Sequence, residues 1–235
     1  MTSINVFAKF VFNENINIFV LTKYTIMKVK YPRTYHFPWS KGCQSDDKIL
    51  KSIDHFIGKE IVMTEKRDGE NSNLMRDCIY ARSLDSVDHI SRHWLKGFWS
   101  TFNYEIPDGW RICGEGLFAE HSIHYNNLES YFEVFSIWDE NNKCLSWDDT
   151  VDWCNLLGLC HVPIIWRGIF DEQFLRNYTF DTEKQEGYVI RLANEFDFKD
   201  FGKSVAKFVR PGHVTTDEHW MNKKIIPNEL KNKIK

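Results

Sequence analysis

The 235-residue chain has no C-x-x-C pair among its six cysteines, no glycine-, serine- or proline-rich linker, no repeat and no low-complexity run. Each absence narrows the field. Cysteines at 43, 78, 113, 144, 154 and 160 without metal-ligand spacing read as reduced thiols of a cytoplasmic protein, not as a disulfide framework. His89/His93 and His121/His124 have helical spacings but no third ligand nearby, which argues against zinc. Without a linker, one domain is the simpler organisation. No apolar run reaches the ~18–20 residues of a membrane span. The opening "MTSINVFAKFVFNENINIFVLTKYTI" is broken by Lys9 and by Asn13-Glu14-Asn15, and it lacks a small-residue cleavage site. Its alternation (Ile4, Val6, Ala8, then Ile16, Ile18, Val20) predicts a hairpin around Asn13-Glu14-Asn15. Met27 is an alternative natural start, which would make 1–26 an extension of a core at 27–235. Strong charge of either sign is also missing. With a formal net charge of -3, no global basic field advertises nucleic acid, so any such footprint must be local. From Lys199 onward, nine basic residues face four acidic ones, which makes that end the candidate.

What the chain does have is core: 43% hydrophobic residues, with 18 Phe and 9 Trp, against 27% charged, the composition of a folded protein. The patterning predicts a helix from Ser45-Asp46-Asp47 to Gly58, carrying Ile49, Leu50, Ile53, Phe56 and Ile57 on one face. A strand at 59–66 follows, then a hairpin of 72–76 and 79–83 turning at Asp77-Cys78. Helical spacing recurs at 88–104, 147–158 and 171–178, and strands are expected at 110–118, 131–138, 161–166, 186–193 and 203–210. Strands in adjacent pairs with inserted helices suggest an α+β fold with largely antiparallel sheets.

One stretch where the chain leaves a strand, Met63-Thr64-Glu65-Lys66-Arg67-Asp68-Gly69-Glu70-Asn71, places a lysine, carboxylates and a glycine together. By itself it reads as a charged turn. It has company in a fixed order: Tyr80-Ala81-Arg82-Ser83, Cys113-Gly114-Glu115-Gly116, Tyr131-Phe132-Glu133-Val134-Phe135-Ser136-Ile137, Glu186-Gly187-Tyr188-Val189-Ile190-Arg191 and Val205-Ala206-Lys207-Phe208-Val209-Arg210. Each sits on or just after an expected strand, so all could line one cleft between sheets.

The ordered set resembles the covalent nucleotidyltransferase superfamily of ATP-dependent ligases and mRNA capping enzymes. Within it the chain is most similar to the RNA ligases, the RNA ligase 2 type in particular, from about Tyr31 to Arg210. The resemblance implies an adenylation domain with an ATP cleft, in which Lys66 attacks the α-phosphate and carries AMP. It implies that Arg82 contacts the nucleotide site, that Glu115 binds the ribose and that Phe135 stacks on adenine. It further implies that Lys207 contacts the phosphates as part of the catalytic machinery, with Glu65, Gly69, Asn71, Glu186 and Arg210 in the nucleotide site. Glu186 and Asp68 become the candidate ligands for Mg²⁺ or Mn²⁺. Asn71 tilts the reading toward RNA, since DNA ligases and capping enzymes usually carry arginine there. Position 209 is Val where the family's last motif commonly has a second lysine, which leaves Arg210 and Lys203 as alternatives. No separate C-terminal domain is expected after this motif, so sealing RNA ends could require an accessory protein or domain in trans. DNA ligase and GTP-using capping enzyme are the enzymatic alternatives; an RNA-binding subunit with residual adenylylation is another.

The chemistry constrains these residues. At neutral pH only about one free lysine in two or three thousand is a nucleophilic amine. Burial and a nearby cation such as Lys207 would lower the Lys66 pKa, whereas Asp68, Glu70 and Glu186 would raise it unless a divalent ion neutralises them. Glycine at 69 is expected to serve a turn with positive φ and close approach of backbone to the nucleotide.

Overall fold

The computed structural model describes residues 5–10, 19–24, 27–45, 47–212 and 225–231, in two units, Met1–Lys30 and Tyr31–Lys235. In the first, β1 (Asn5–Phe10) pairs antiparallel with β2 (Phe19–Tyr24), Asn5 opposite Tyr24. The expected turn at Asn13-Glu14-Asn15 lies outside the described residues.

In the second unit the apolar run Ile61-Val62-Met63 is fully buried and seeds a central strand. The strands in chain order are β3 (Tyr35–His36), β4 (Glu60–Lys66), β5 (Glu70–Leu74), β6 (Ile79–Ala81), β7 (Arg111–Gly116), β8 (Phe132–Trp138), β9 (Lys143–Cys144), β10 (Cys160–His161), β11 (Ile164–Ile169), β12 (Gly187–Leu192), β13 (Phe196–Asp197) and β14 (Val205–Val209). Helices α1 (His93–Trp99), α2 (Trp147–Leu157), α3 (Glu172–Asn177) and α4 (Phe201–Ser204) lie between them. Two sheets result. One runs β11-β4-β12-β14-β3; the other runs β13-β9-β8-β7-β5-β6, with β10 paired to β8. Except for β14–β3 and β10–β8, the pairs are antiparallel. This is the expected α+β architecture with a cleft between sheets.

Alternation along the strands divides each sheet into a core face and a cleft face. Phe132, Val134 and Ile137 of β8 join Leu95, Phe102, Cys154 and Leu157 in one core. Tyr188, Ile190 and Met63 of the other sheet pack with Phe37 and Phe56 in a second. Arg191 ties the sheets together: its guanidinium donates to the carbonyls of Leu145 (2.5 Å) and Phe135 (3.5 Å) and lies over the Trp147 ring. α2 is capped at both ends, Ser146 accepting from the Asp149 N–H and Gly158 closing it at φ +66°.

The helix expected from Ser45 to Gly58 does not form; only a 3-10 turn at Asp54–Phe56 is present. Tertiary pairing overrides the apolar spacing here. His36 N–H donates to the Lys48 carbonyl and Leu50 N–H to the His36 carbonyl, so this backbone serves β3 instead of a helix. Gly58 nevertheless has positive φ, +73°. The 88–104 helix is cut to α1 flanked by 3-10 turns at Ile90–Arg92 and Asn103–Glu105. The expected strand at 161–166 is split between β10 and β11 around Pro163.

Gly187 is required by packing. A Cβ there would sit 2.0 Å from the Phe208 carbonyl oxygen of the neighbouring strand. Gly187→Ala should therefore cost about 1–3 kcal/mol, read as a lower thermal unfolding midpoint; an unchanged midpoint would refute the close approach.

Candidate active site

The cleft faces of the two sheets enclose a cavity of about 370 Å³, in the size range of small-ligand sites. Lys66 enters it from the last position of β4, opposite Gly187 of β12. Its side chain is 23% exposed, and its Nζ donates to Glu186 Oε2 at 2.5 Å and to the Arg67 carbonyl at 3.5 Å. Burial alone would push this ammonium down. The Glu186 and Glu115 carboxylates, with Asp68, outweigh that and hold it above the ordinary lysine value. Of the two opposing influences expected on Lys66, the carboxylates outweigh burial and the nearby cation when no divalent ion is bound. Lys207 takes the opposite shift. Burial and the Lys66 charge press it below the usual lysine range, against the pull of Asp47, 3.8 Å away.

Of the residues singled out from sequence, Glu65, Lys66, Asn71, Arg82, Glu115, Phe135 and Lys207 line the cavity together. Alternation from the core residues Phe132 and Val134 puts Phe135 on the cleft face, where a bulge begins. The β7–β8 register passes from Cys113–Ser136 to Gly114–Val134, which leaves Phe135 as the extra residue of a bulge. The bulge turns Phe135 and Ser136 both into the cavity and returns Ile137 to the core. Val189 of the opposite sheet lines the same cavity. Glu115 stands opposite Asn71 across β5–β7. Burial pushes its carboxyl up to about 8; Glu186 and Asp68 add to the shift, while Lys66 and the Gly69 N–H oppose it. Arg82 donates to the Tyr31 carbonyl at 3.4 Å and is held below the usual guanidinium range by burial and by Arg33. Arg33, Arg82 and Lys207 thus share one cavity, a cluster of like charges that favours an anion among them.

Other expected positions fall elsewhere. Glu186 is 5% exposed and sits behind Lys66 rather than on the cavity wall. Asp68 is occupied: its Oδ2 accepts from Ser122 N (2.7 Å), Ser122 Oγ (2.6 Å) and Ile123 N (3.0 Å). That geometry makes it the anchor of the 117–131 loop through this oxygen. Gly69 has no positive φ. Its backbone instead approaches β7, where a Cβ would meet the Gly116 carbonyl at 2.5 Å, so the reason for glycine is packing between strands. Arg210 does not line the cavity; its Nη1 donates to the Pro211 and Gly212 carbonyls. Lys203 is exposed and likewise outside it. Tyr131 packs on Trp94 and Phe118. Of the basic C-terminal residues, Lys199 pairs with Asp197 and Lys231 with Glu129, while Lys223, Lys224, Lys233 and Lys235 lie outside the described residues.

Sequence reading missed several members. Arg67 forks onto buried Glu133 (2.7 and 3.2 Å) and pairs with Glu65 at 2.7 Å. Asp47 bridges Lys207 and the fully buried His36, whose Nδ1 shares a hydrogen bond with Ser40 Oγ at 2.8 Å. Arg67 stood inside the charged stretch itself, whereas Asp47 was hidden by its likeness to a helix cap. Among the described residues no group of three or more His, Cys, Asp or Glu could by itself hold a metal ion.

The cleft thus sets a lysine at a strand end between two largely antiparallel sheets, with an aromatic side chain among its walls. The RNA ligase family profile matches residues 59–209, and the chain belongs to that family. No curated protein sequence matches it. Among solved structures it is similar to a putative ATP-dependent DNA ligase from Aquifex aeolicus (17% identity, TM-score 0.52, covering 87% of this chain and 59% of that one). It is also similar to the Naegleria gruberi RNA ligase with PPi (21% identity, TM-score 0.48, 67% and 51%) and to a mutant of that ligase with AMP and Mn (19%, 0.45, 67% and 52%). At these identities the Aquifex likeness speaks to the fold alone. This chain spans about half the length of the Naegleria chains.

The Glu115 carboxyl yields a pH prediction. Its folded value of about 8 lies above its ordinary 4.5, so the folded chain keeps a proton that the unfolded chain loses above 4.5. Its contribution to stability is full below that value and is lost as pH rises toward about 8. Glu115→Gln should remove this slope in urea unfolding between about pH 5 and 8.5; an unaltered slope would contradict it.

Proposed function

We propose that the protein is an ATP-dependent RNA ligase that joins a 5′-phosphate to a 3′-hydroxyl through a lysyl-AMP intermediate on Lys66. The observation that carries this reading is the meeting of Lys66, Phe135, Arg82 and Lys207 around one cavity of nucleotide dimensions. In the first step the Lys66 nitrogen forms a bond to the α-phosphorus of ATP and the bond to pyrophosphate breaks. The proton that Lys66 must shed has its nearest carboxylate acceptor in Glu186 Oε2. A 5′-phosphate oxygen of RNA then displaces the lysine to give a 5′–5′ AMP-capped end. Attack of the 3′-hydroxyl on that end releases AMP and forms the phosphodiester.

Phe135 presents a flat apolar surface for adenine, with Val189 opposite. Glu115 and Asn71 offer polar groups to the ribose, Arg82 and Lys207 take the phosphates, and Arg33 extends that cationic wall. The described residues form no complete metal cage, but a carboxylate-rich floor next to a phosphate site fits Mg²⁺ or Mn²⁺, hard cations held by one or two carboxylates plus substrate oxygens. Glu186 is the residue that would hold it. Such an ion supplies neutralisation of the triphosphate and of the carboxylates around Lys66. The RNA preference rests on Asn71. The chain spans 59% of the Aquifex ligase, and a second reading leaves sealing to a further domain or partner.

Incubation with Mg²⁺ and α-labelled ATP should leave label on the denatured protein, with none from GTP. Lys66→Ala should lower labelling on the order of 10³-fold or more, and Lys207→Ala about 10²-fold. No adduct with ATP, or an adduct surviving Lys66→Ala, would sink the mechanism. Sealing of nicked RNA in preference to nicked DNA is expected; labelling without sealing of either would favour the partner-dependent reading.

A further inference from the structure

Segment 225–231 lies across the loop joining β7 and β8. Ala119 bridges to Pro227 and Leu128 to Leu230. Its centre is Asn228, 1% exposed. Asn228 Oδ1 accepts from Tyr125 N at 2.8 Å, and its Nδ2 donates to the Leu117 carbonyl at 2.8 Å. Its backbone N–H donates to the Phe118 carbonyl (2.9 Å), and its carbonyl accepts from Tyr131 Oη (2.9 Å). One asparagine therefore closes the loop by hydrogen bonds at both its start and its middle.

That loop in turn grips the two residues after Lys66. Ser122 and Ile123 supply the three donors to Asp68 Oδ2, and Tyr125 Oη accepts from the Asp68 N–H at 3.0 Å. The Tyr125 ring also lies 5.0 Å from the Arg67 guanidinium. Buried hydrogen-bond networks of this kind rigidify when fully satisfied and become costly when one member is lost.

We propose that Asn228 is a positioning residue for Lys66, with segment 225–231 acting as a strap that fixes the Arg67-Asp68 turn through the 117–131 loop. The kinetic part of this inference rests on the proposed adenylylation. The structural part stands on its own.

The test compares Asn228→Ala with the wild-type full chain by hydrogen–deuterium exchange and by single-turnover labelling with ATP. Exchange in peptides covering 66–70 and 119–126 should rise about tenfold or more, with β12 (187–192) unchanged. The labelling rate should fall about tenfold or more, with the KM for ATP unaltered. Unchanged exchange at 66–70, or a rise spread equally through the chain, overturns the proposal, as does a normal labelling rate. Should Asn228→Ala fail to fold, Ser122→Ala cuts the same path at Asp68 and must slow labelling without shifting the KM. In the double variant the two effects should combine less than additively; full additivity also overturns the proposal. Wild-type protein that takes no label marks failure of the adenylylation reading, and the exchange pattern then decides the strap alone.

Discussion

The ion pair between Lys66 and Glu186 is the constraint around which this protein is arranged. A lysine largely removed from water should surrender its proton; this one is instead held protonated by a carboxylate 2.5 Å away, with Glu115 and Asp68 adding to the field. The pair can exist because β4 and β12 are adjacent and in register, Lys66 opposite Gly187. Gly187 in turn has no room for a side chain against β14. Register, glycine and charge therefore specify one another. Charges brought this close in a low-dielectric floor gain from each other only while both partners stay in place. The proposed reaction uses that poise: the amine is stored as an ammonium, with its acceptor alongside.

The opposite sheet supplies a wall for an apolar ring, while the cations come from both sheets, Lys207 from β14 beside β12 and Arg82 from the residue after β6. A bulge aims Phe135, and Arg191 pins the carbonyl of that same residue to β12. The phosphate side is set by a different logic. Lys207, Arg82 and Arg33 crowd one another, with Asp47 the nearby counter-charge, itself backed by His36 and Ser40. In the proposed reaction it is this cluster of like charges that receives the phosphates.

Much of this was legible in the sequence, for physical reasons that differ by residue. Lys66, Arg82, Glu115, Phe135 and Lys207 are readable because each lies on or beside a strand whose apolar pattern fixes its phase. Their common order along the chain then suggests a common cleft. Gly69 was rightly singled out for the wrong reason, since strand packing and positive φ leave the same letter. Residues 45–57 misled because apolar spacing at helical period competes with backbone pairing to β3, and nothing local records that competition. The loop-anchoring role of Asp68 left no local trace because it depends on Ser122 and Ile123, more than fifty residues away. Asn228 carried no sequence signal. An asparagine gives no sign of burial until the loop it serves is in place.

Whether Glu186 keeps Lys66 protonated in the free protein can be read by titrating that one amine. NMR of the full chain with isotope-labelled lysine, assigned through Lys66→Arg, reports the ionisation of the Lys66 side chain in wild type and in Glu186→Gln. Lys66 should titrate above the ordinary lysine value of 10.5 in wild type and shift clearly downward in Glu186→Gln. A wild-type Lys66 that titrates below that value, or one unmoved by the loss of the Glu186 charge, would contradict this role of Glu186.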